Sequence, residues 1–209
     1  MEGHHYSVVV ADLLKQTSND FFMAEKSFVR LTQVLHATCD VNFDTCSSVM
    51  ALLAQQIQQS SNCGQDLELE NPTVSQAYNG LLAYQPLYRA GCLTDGNGNY
   101  CFANAVTNIS APTSSYIYYL PLGVDLPAGT NPTCDSCLQN TMAIFASAAS
   151  NKSVPLNGDY TSAAQQIDMS CGPQFVQPSI EHSSAGAMVA SGNMVSLFVF
   201  GLVALVSLA

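Results

Sequence analysis

Apolar residues recur at helical spacing along most of this chain. From residue 10 to 36 they form one stripe: Val10, Leu14, Phe21, Ala24, Phe28, Leu31 and Leu35. The steps alternate mostly between three and four, as on one face of a helix. Thr17-Ser18-Asn19-Asp20 interrupts the stripe and supplies a cap for a new helix. Asp44 predicts a second helix running to about Ser60, with Val49, Leu52, Leu53 and Ile57 inward and Asn62-Cys63-Gly64 at its end. Asn71-Pro72 opens a third, with Tyr78, Leu81 and Leu82 inward and Pro86 as its stop. Residues 134–149 align Leu138, Met142, Phe145 and Ala149. Residues 159–171 bury Tyr160, Ala164 and Ile167 before Gly172-Pro173 terminates the pattern.

Three stretches break the helical period. Residues 92–101 read as a turn closed by a Cys92–Cys101 cystine around Asp95-Gly96-Asn97-Gly98-Asn99, since Asp-Gly and Asn-Gly favour tight turns. Residues 115–122, SYIYYLPL, form the one short extended segment, with Pro121 excluding a central strand. Residues 126–132 are a Pro/Gly loop. The expected fold class is mainly α, a single disulfide-stapled helical domain. Its expected divisions are a disordered or mis-assigned start (1–7), a helical ectodomain (8–176), a small-residue stalk (177–193) and a hydrophobic tail (194–209). No repeat of fixed period appears.

Charge narrows the function. Charged residues are 10% of the chain, and the net charge is −10 with only five Lys and Arg. Nucleic-acid binding needs a basic footprint, which is missing. Eight cysteines, Cys39, Cys46, Cys63, Cys92, Cys101, Cys134, Cys137 and Cys171, predict disulfides in an oxidising compartment. Spacing alone leaves the connectivity open, with Cys39–Cys46 and Cys92–Cys101 as local pairs. Two N-glycosylation sequons, at Asn108 and Asn151, agree with that compartment. The N-terminus conflicts with it. Its apolar run, residues 8–11, is broken by Asp12 and is too short for a signal peptide. The expectation is that the true start, with its signal peptide, lies upstream.

Residues 194–209 (MVSLFVFGLVALVSLA) carry no charge. As a helix they reach only about 24 Å, against the ~30 Å of a bilayer core. No Lys or Arg follows Lys152, so the flank expected of a spanning helix is lacking. The pattern fits a glycosylphosphatidylinositol (GPI) signal: small residues, a spacer of ~8–12 residues and a tail of ~10–20. Ser183 or Ser184 is the expected attachment residue. A short spanning helix is the alternative.

Candidate chemistry is sparse. Cys134-Asp135-Ser136-Cys137 has redox spacing at a helix start, but two structural cysteines pairing elsewhere is the simpler reading. The Asp95 loop opens like a calcium loop and then departs at Tyr100 and Val106. His36 beside Cys39 reads as an incidental histidine near a cystine. Tyr116, Tyr118 and Tyr119 are a candidate ligand platform, weighed against packing of one face into the core. No catalytic residue, metal site or cofactor is expected.

Several strings together resemble an uncharacterised family of fungal cell-surface proteins predicted to carry GPI anchors. They include Asn42-Phe43-Asp44-Thr45-Cys46, Asn62-Cys63-Gly64, Ala77-Tyr78-Asn79-Gly80 and Tyr88-Arg89-Ala90-Gly91-Cys92-Leu93. Asn99-Tyr100-Cys101-Phe102, residues 118–123 (YYLPLG), residues 134–138 (CDSCL) and Cys171-Gly172-Pro173 follow in order. The likeness spans about residues 10–176 and implies a secreted, anchored domain with no established catalytic residues. The expected function is a non-enzymatic structural or interaction module at the outer membrane face or cell wall. Its expected partners are the membrane, through a lipid anchor, and cell-wall polysaccharide. A carbohydrate- or ligand-binding module and an anchored surface hydrolase are the alternatives.

Overall fold

The computed structural model describes residues 19–178, and its regular elements there are helices. They are α1 (Asn19–Glu25), α2 (Phe28–Cys39), α3 (Phe43–Ile57), α4 (Gly64–Glu68) and α5 (Pro72–Gly91). Then come α6 (Cys101–Val106), a 3₁₀ helix (Pro112–Leu122), α7 (Ser136–Ala149) and α8 (Leu156–Cys171). Val10, Leu14, the stalk, Ser183, Ser184 and the tail lie outside the described residues.

Side chains cap the starts of four of these helices. Ser27 separates α1 from α2, and its Oγ accepts from the Arg30 N–H at 3.5 Å. Asn42, and not Asp44, caps α3 by accepting from the Thr45 N–H at 2.8 Å. Asn71 caps α5 with Pro72 in the first turn, where a missing N–H costs nothing. Asp135 caps α7 by accepting from the Leu138 N–H at 2.9 Å.

The main core lies between α2, α6, the 3₁₀ helix, α7 and α8. Phe21, Leu31, Leu35, Phe145, Met142, Tyr160 and Ile167 are all buried in it, as the stripes predict. Phe28 is the exception in its stripe, 37% exposed beside the α1–α2 break. A smaller core joins α3 to α5 through Met50, Ala83 and Tyr84, with Phe43 and Tyr88 packed on it. The two are tied by the Tyr88 hydroxyl, which donates to the Cys39 carbonyl at 3.0 Å. Gly123 closes the 3₁₀ helix at φ +78°, and an added Cβ would sit 2.8 Å from the Pro155 side chain. Both the left-handed backbone and the close approach require glycine there.

Three disulfides fasten helix ends: Cys39–Cys92, Cys101–Cys137 and Cys134–Cys171. They enclose 53, 36 and 37 residues of sequence. Loops of that length correspond to about 4 kcal/mol each in the chain-entropy account. Both local pairings are therefore wrong. Cys46 lies one turn inside α3, facing α5, while Cys39 ends α2 against the end of α5. Cys92 and Cys101 flank a turn closed by the Thr94–Tyr100 bridge, whose antiparallel register sets Cys92 opposite Phe102 instead. The turn is thus closed by backbone, with the Cys101 N–H on the Leu93 carbonyl at 2.8 Å. Cys46 and Cys63 are free, half-buried thiols, which corrects the expectation that all eight cysteines pair. A helix separates the two: 11 residues at 1.5 Å put them well beyond the ~5.5 Å that a cystine spans.

Three further expectations are corrected. Residues 115–122 are helical, within the 3₁₀ element, because Pro112 starts it and Pro121 fits a tight turn that does not need its N–H. Pro86 does not stop α5, which runs on to Gly91. The ring is buried, and the proline lacks the N–H that would have donated to the Leu82 carbonyl. On α3, Val49, Leu52 and Leu53 are 44%, 52% and 41% exposed, while Ser47, Met50 and Ala54 face inward. A second small-residue stripe, out of phase with the leucines, meets the bulky Tyr84 of α5.

Two outcomes follow. Iodoacetamide on the unfolded, unreduced protein should label two thiols per chain, at Cys46 and Cys63; peptide mapping that finds Cys39 joined to Cys46 would contradict the pairing. Phe145→Ala should cost about 3–5 kcal/mol in urea unfolding, whereas Leu52→Ala should stay within about 0.5 kcal/mol.

Candidate functional site

An open groove of about 650 Å³ lies between α3, α5 and α7. Its walls are mostly apolar: Met50 and Ala51 from α3, Leu81 and Leu82 from α5, Ile144 and Ala148 from α7. Local sequence explains the opening. Small residues on α3 and α7 leave space that a leucine would fill. Pro86 lines the same wall as Leu82.

Few polar groups face it. Gln85 donates to Ser47 Oγ at 2.6 Å, bridging α5 to α3. Arg89 lies one turn further on, exposed, its guanidinium 5.2 Å above the Phe43 ring. That cation–π contact holds the charge in place without neutralising it. Tyr84 is 2% exposed, and its hydroxyl has no hydrogen-bond partner of acceptable geometry. Burial pushes the Tyr84 hydroxyl's pKa well up, and the neighbouring Cys46 thiol adds to the rise. The groove's lining contains no Asp, Glu, His or Cys. Among the described residues no three His, Cys, Asp or Glu gather as metal ligands.

The structure separates the predicted tyrosine platform. With three residues per turn in the 3₁₀ helix, Tyr116 and Tyr119 stack on one face while Tyr118 turns away. Tyr118 is 4% exposed, edge-on to Phe102 at 4.7 Å, and its hydroxyl is 3.4 Å from Thr141 Oγ1. Burial raises its pKa to about 12, with Asp135 adding and the Thr141 bond opposing. Tyr118 is a core residue, which corrects its place in the platform. Tyr116 is 40% exposed, Tyr119 half-buried, and Glu25 lies close enough to raise the Tyr119 pKa after burial has done most.

The two sequons differ. Asn108 Oδ1 accepts from the Ser110 and Ala111 N–H groups, each at 3.0 Å, and Nδ2 donates to Thr133 Oγ1 at 2.9 Å. Its side-chain amide is built into a loop contact. Asn151 is exposed at the end of the groove, and only its Oδ1 is engaged, by the Ser153 N–H at 3.0 Å. The remaining candidates have structural explanations. Cys134 and Cys137 pair with different partners, and exposed His36 meets Tyr100 edge-on at 5.7 Å. The sequence reading missed the groove altogether. The one clue was Pro86 within an otherwise helical stripe.

The Asp95 carboxylate is spent on its own turn. Oδ1 accepts from the Asn97 and Asn99 N–H groups at 2.8 and 2.9 Å, and Oδ2 from the Asn104 amide at 2.9 Å. The Asn99 N–H does most to hold its pKa below the ordinary value, with Asn97 and Asn104 helping against some desolvation. Since the folded value is the lower one, the contribution is full above about pH 4. It is lost as pH falls through the depressed value. Asp95→Asn should therefore weaken the fold at neutral pH and flatten the acid limb below about pH 4. Urea unfolding at several pH values checks this; parallel curves for the two proteins would contradict it.

The profile of a family described as a domain of unknown function, DUF7729, matches residues 6–180, so the chain belongs to that family. No curated protein and no solved structure matches the chain.

Proposed function

We propose that this DUF7729 family member is a non-catalytic binding module of the fungal cell surface or wall, held by a GPI anchor at Ser183 or Ser184. The observation that carries the binding reading is the α3–α5–α7 groove. It is apolar, fixed by packed helices, and offers few polar groups, as ligand sites commonly do. Its lining holds no acid–base or nucleophilic pair, which favours binding over hydrolysis. The extracellular reading draws on the three long-range disulfides, which persist in oxidising compartments. The anchor reading draws on the charge-free tail and on the resemblance to anchored surface proteins.

A second reading, a carbohydrate-binding surface, keeps one supporting observation. Tyr116 and Tyr119 share a face of the 3₁₀ helix and form a two-ring ledge where a sugar face can stack. A glycan array with Tyr116→Ala as the control decides it. Binding to wall polymers that survives the substitution would sink this ledge.

Mass spectrometry of protein from cells expressing the full-length gene tests the anchor. The expected C-terminal peptide ends at Ser183 or Ser184 with a phosphoethanolamine-linked remnant; recovery of residues 194–209 would refute it. The same digest should show glycan on Asn151 in greater occupancy than on Asn108.

A further inference from the structure

We infer that the groove between α3, α5 and α7 binds a monocarboxylate with an apolar chain, its carboxylate on Arg89. The inference rests on the binding reading above and names the ligand class.

Charge is the first argument. The chain carries 15 Asp and Glu against five Lys and Arg. The groove reverses that sign, for its lining has one arginine and no acid. Arg89 makes no ion pair among the described residues. An exposed guanidinium held over an aromatic ring keeps its planar N–H fork free for a carboxylate, which it binds bidentately.

The walls supply the second argument. Beyond Arg89 the groove runs past Leu82, Met50, Ile144 and Ala148, with no charged side chain among its lining residues. A volume of about 650 Å³ is in the range of small-molecule sites. Leu82, Pro86 and Arg89 are spaced by four and three residues on α5, so the charged end and the apolar run share one face. A ligand with two charges would leave one in the apolar section, at a desolvation cost. A neutral chain would leave Arg89 unused. One carboxylate on an apolar chain uses both.

Titration calorimetry on the intact protein, disulfides formed, tests this with three probes of equal chain length below their micellar concentrations. They are decanoate, decanol and decyltrimethylammonium. Decanoate should bind at one site at least tenfold more tightly than the other two. Arg89→Gln should weaken decanoate about tenfold and leave decanol unchanged. Ala51 is exposed on the groove wall, so Ala51→Phe should weaken both probes without lowering the melting temperature. Equal affinities for the three probes, or decanoate binding that survives both substitutions, would overturn the assignment. So would the absence of any binding. C-terminal processing is read by a separate mass measurement, so a failed titration refutes the ligand and leaves the anchored-surface reading standing on its own result.

Discussion

The first turn of α7 is the fixed point of this domain. Cys134, two residues before it, is tied to the end of α8, and Cys137, its second residue, to the start of α6. Asp135, between the two cysteines, caps the same turn. Two covalent bonds and a cap thus fix the origin of the helix that carries Leu138, Met142, Phe145 and Ala149 into the core. With α6 and α8 pinned to that origin, the 3₁₀ helix can lay Tyr118 between Phe102 and Phe145. The terminal segment is fastened to the same unit: the Tyr160 hydroxyl donates to the Gln177 carbonyl at 2.6 Å, and the Gln139 amide to the Phe175 carbonyl at 3.1 Å. A chain with so few ion pairs available gets its long-range order from cystines and buried hydroxyls instead.

Helices in the C-terminal half were readable because their stripes agree with their packing. Leu138, Met142 and Phe145 are spaced as a core face and form one, and Tyr160, Ala164 and Ile167 do the same. The misreadings share a cause. Proline suggests a boundary, yet Pro86 sits inside α5 and Pro121 inside the 3₁₀ helix, where a missing N–H is tolerated. Alternating tyrosines and aliphatics over residues 115–122 suit a strand as well as a three-residue turn, and only the surrounding helices select the second. Cystine partners depend on which helix ends meet in space, and spacing along the chain carries no trace of that.

The groove was less legible than the fold. A concavity is formed by what is small or missing: Ala51, Ser147 and Ala148 along the walls, and a proline that interrupts one helical hydrogen bond. Such residues carry no chemical signature. Arg89 could be noticed as one of five cations, but its position over Phe43 and beside apolar walls comes from three helices converging. The tyrosines, by contrast, drew attention as a cluster and were divided between core and surface by a period of three.

The reversed face of α3 changes how sequences of related chains should be compared. A hydropathy profile marks Val49, Leu52 and Leu53 as the interior of this helix, and the fold places them outside. The buried positions are Ser47, Met50 and Ala54 instead, with Met50 packed in the cluster that holds Tyr84. Across relatives, change at the small positions would record the fit of α3 to α5. Retention of bulky apolar side chains at 49, 52 and 53 would not be explained by burial in either core of the described residues.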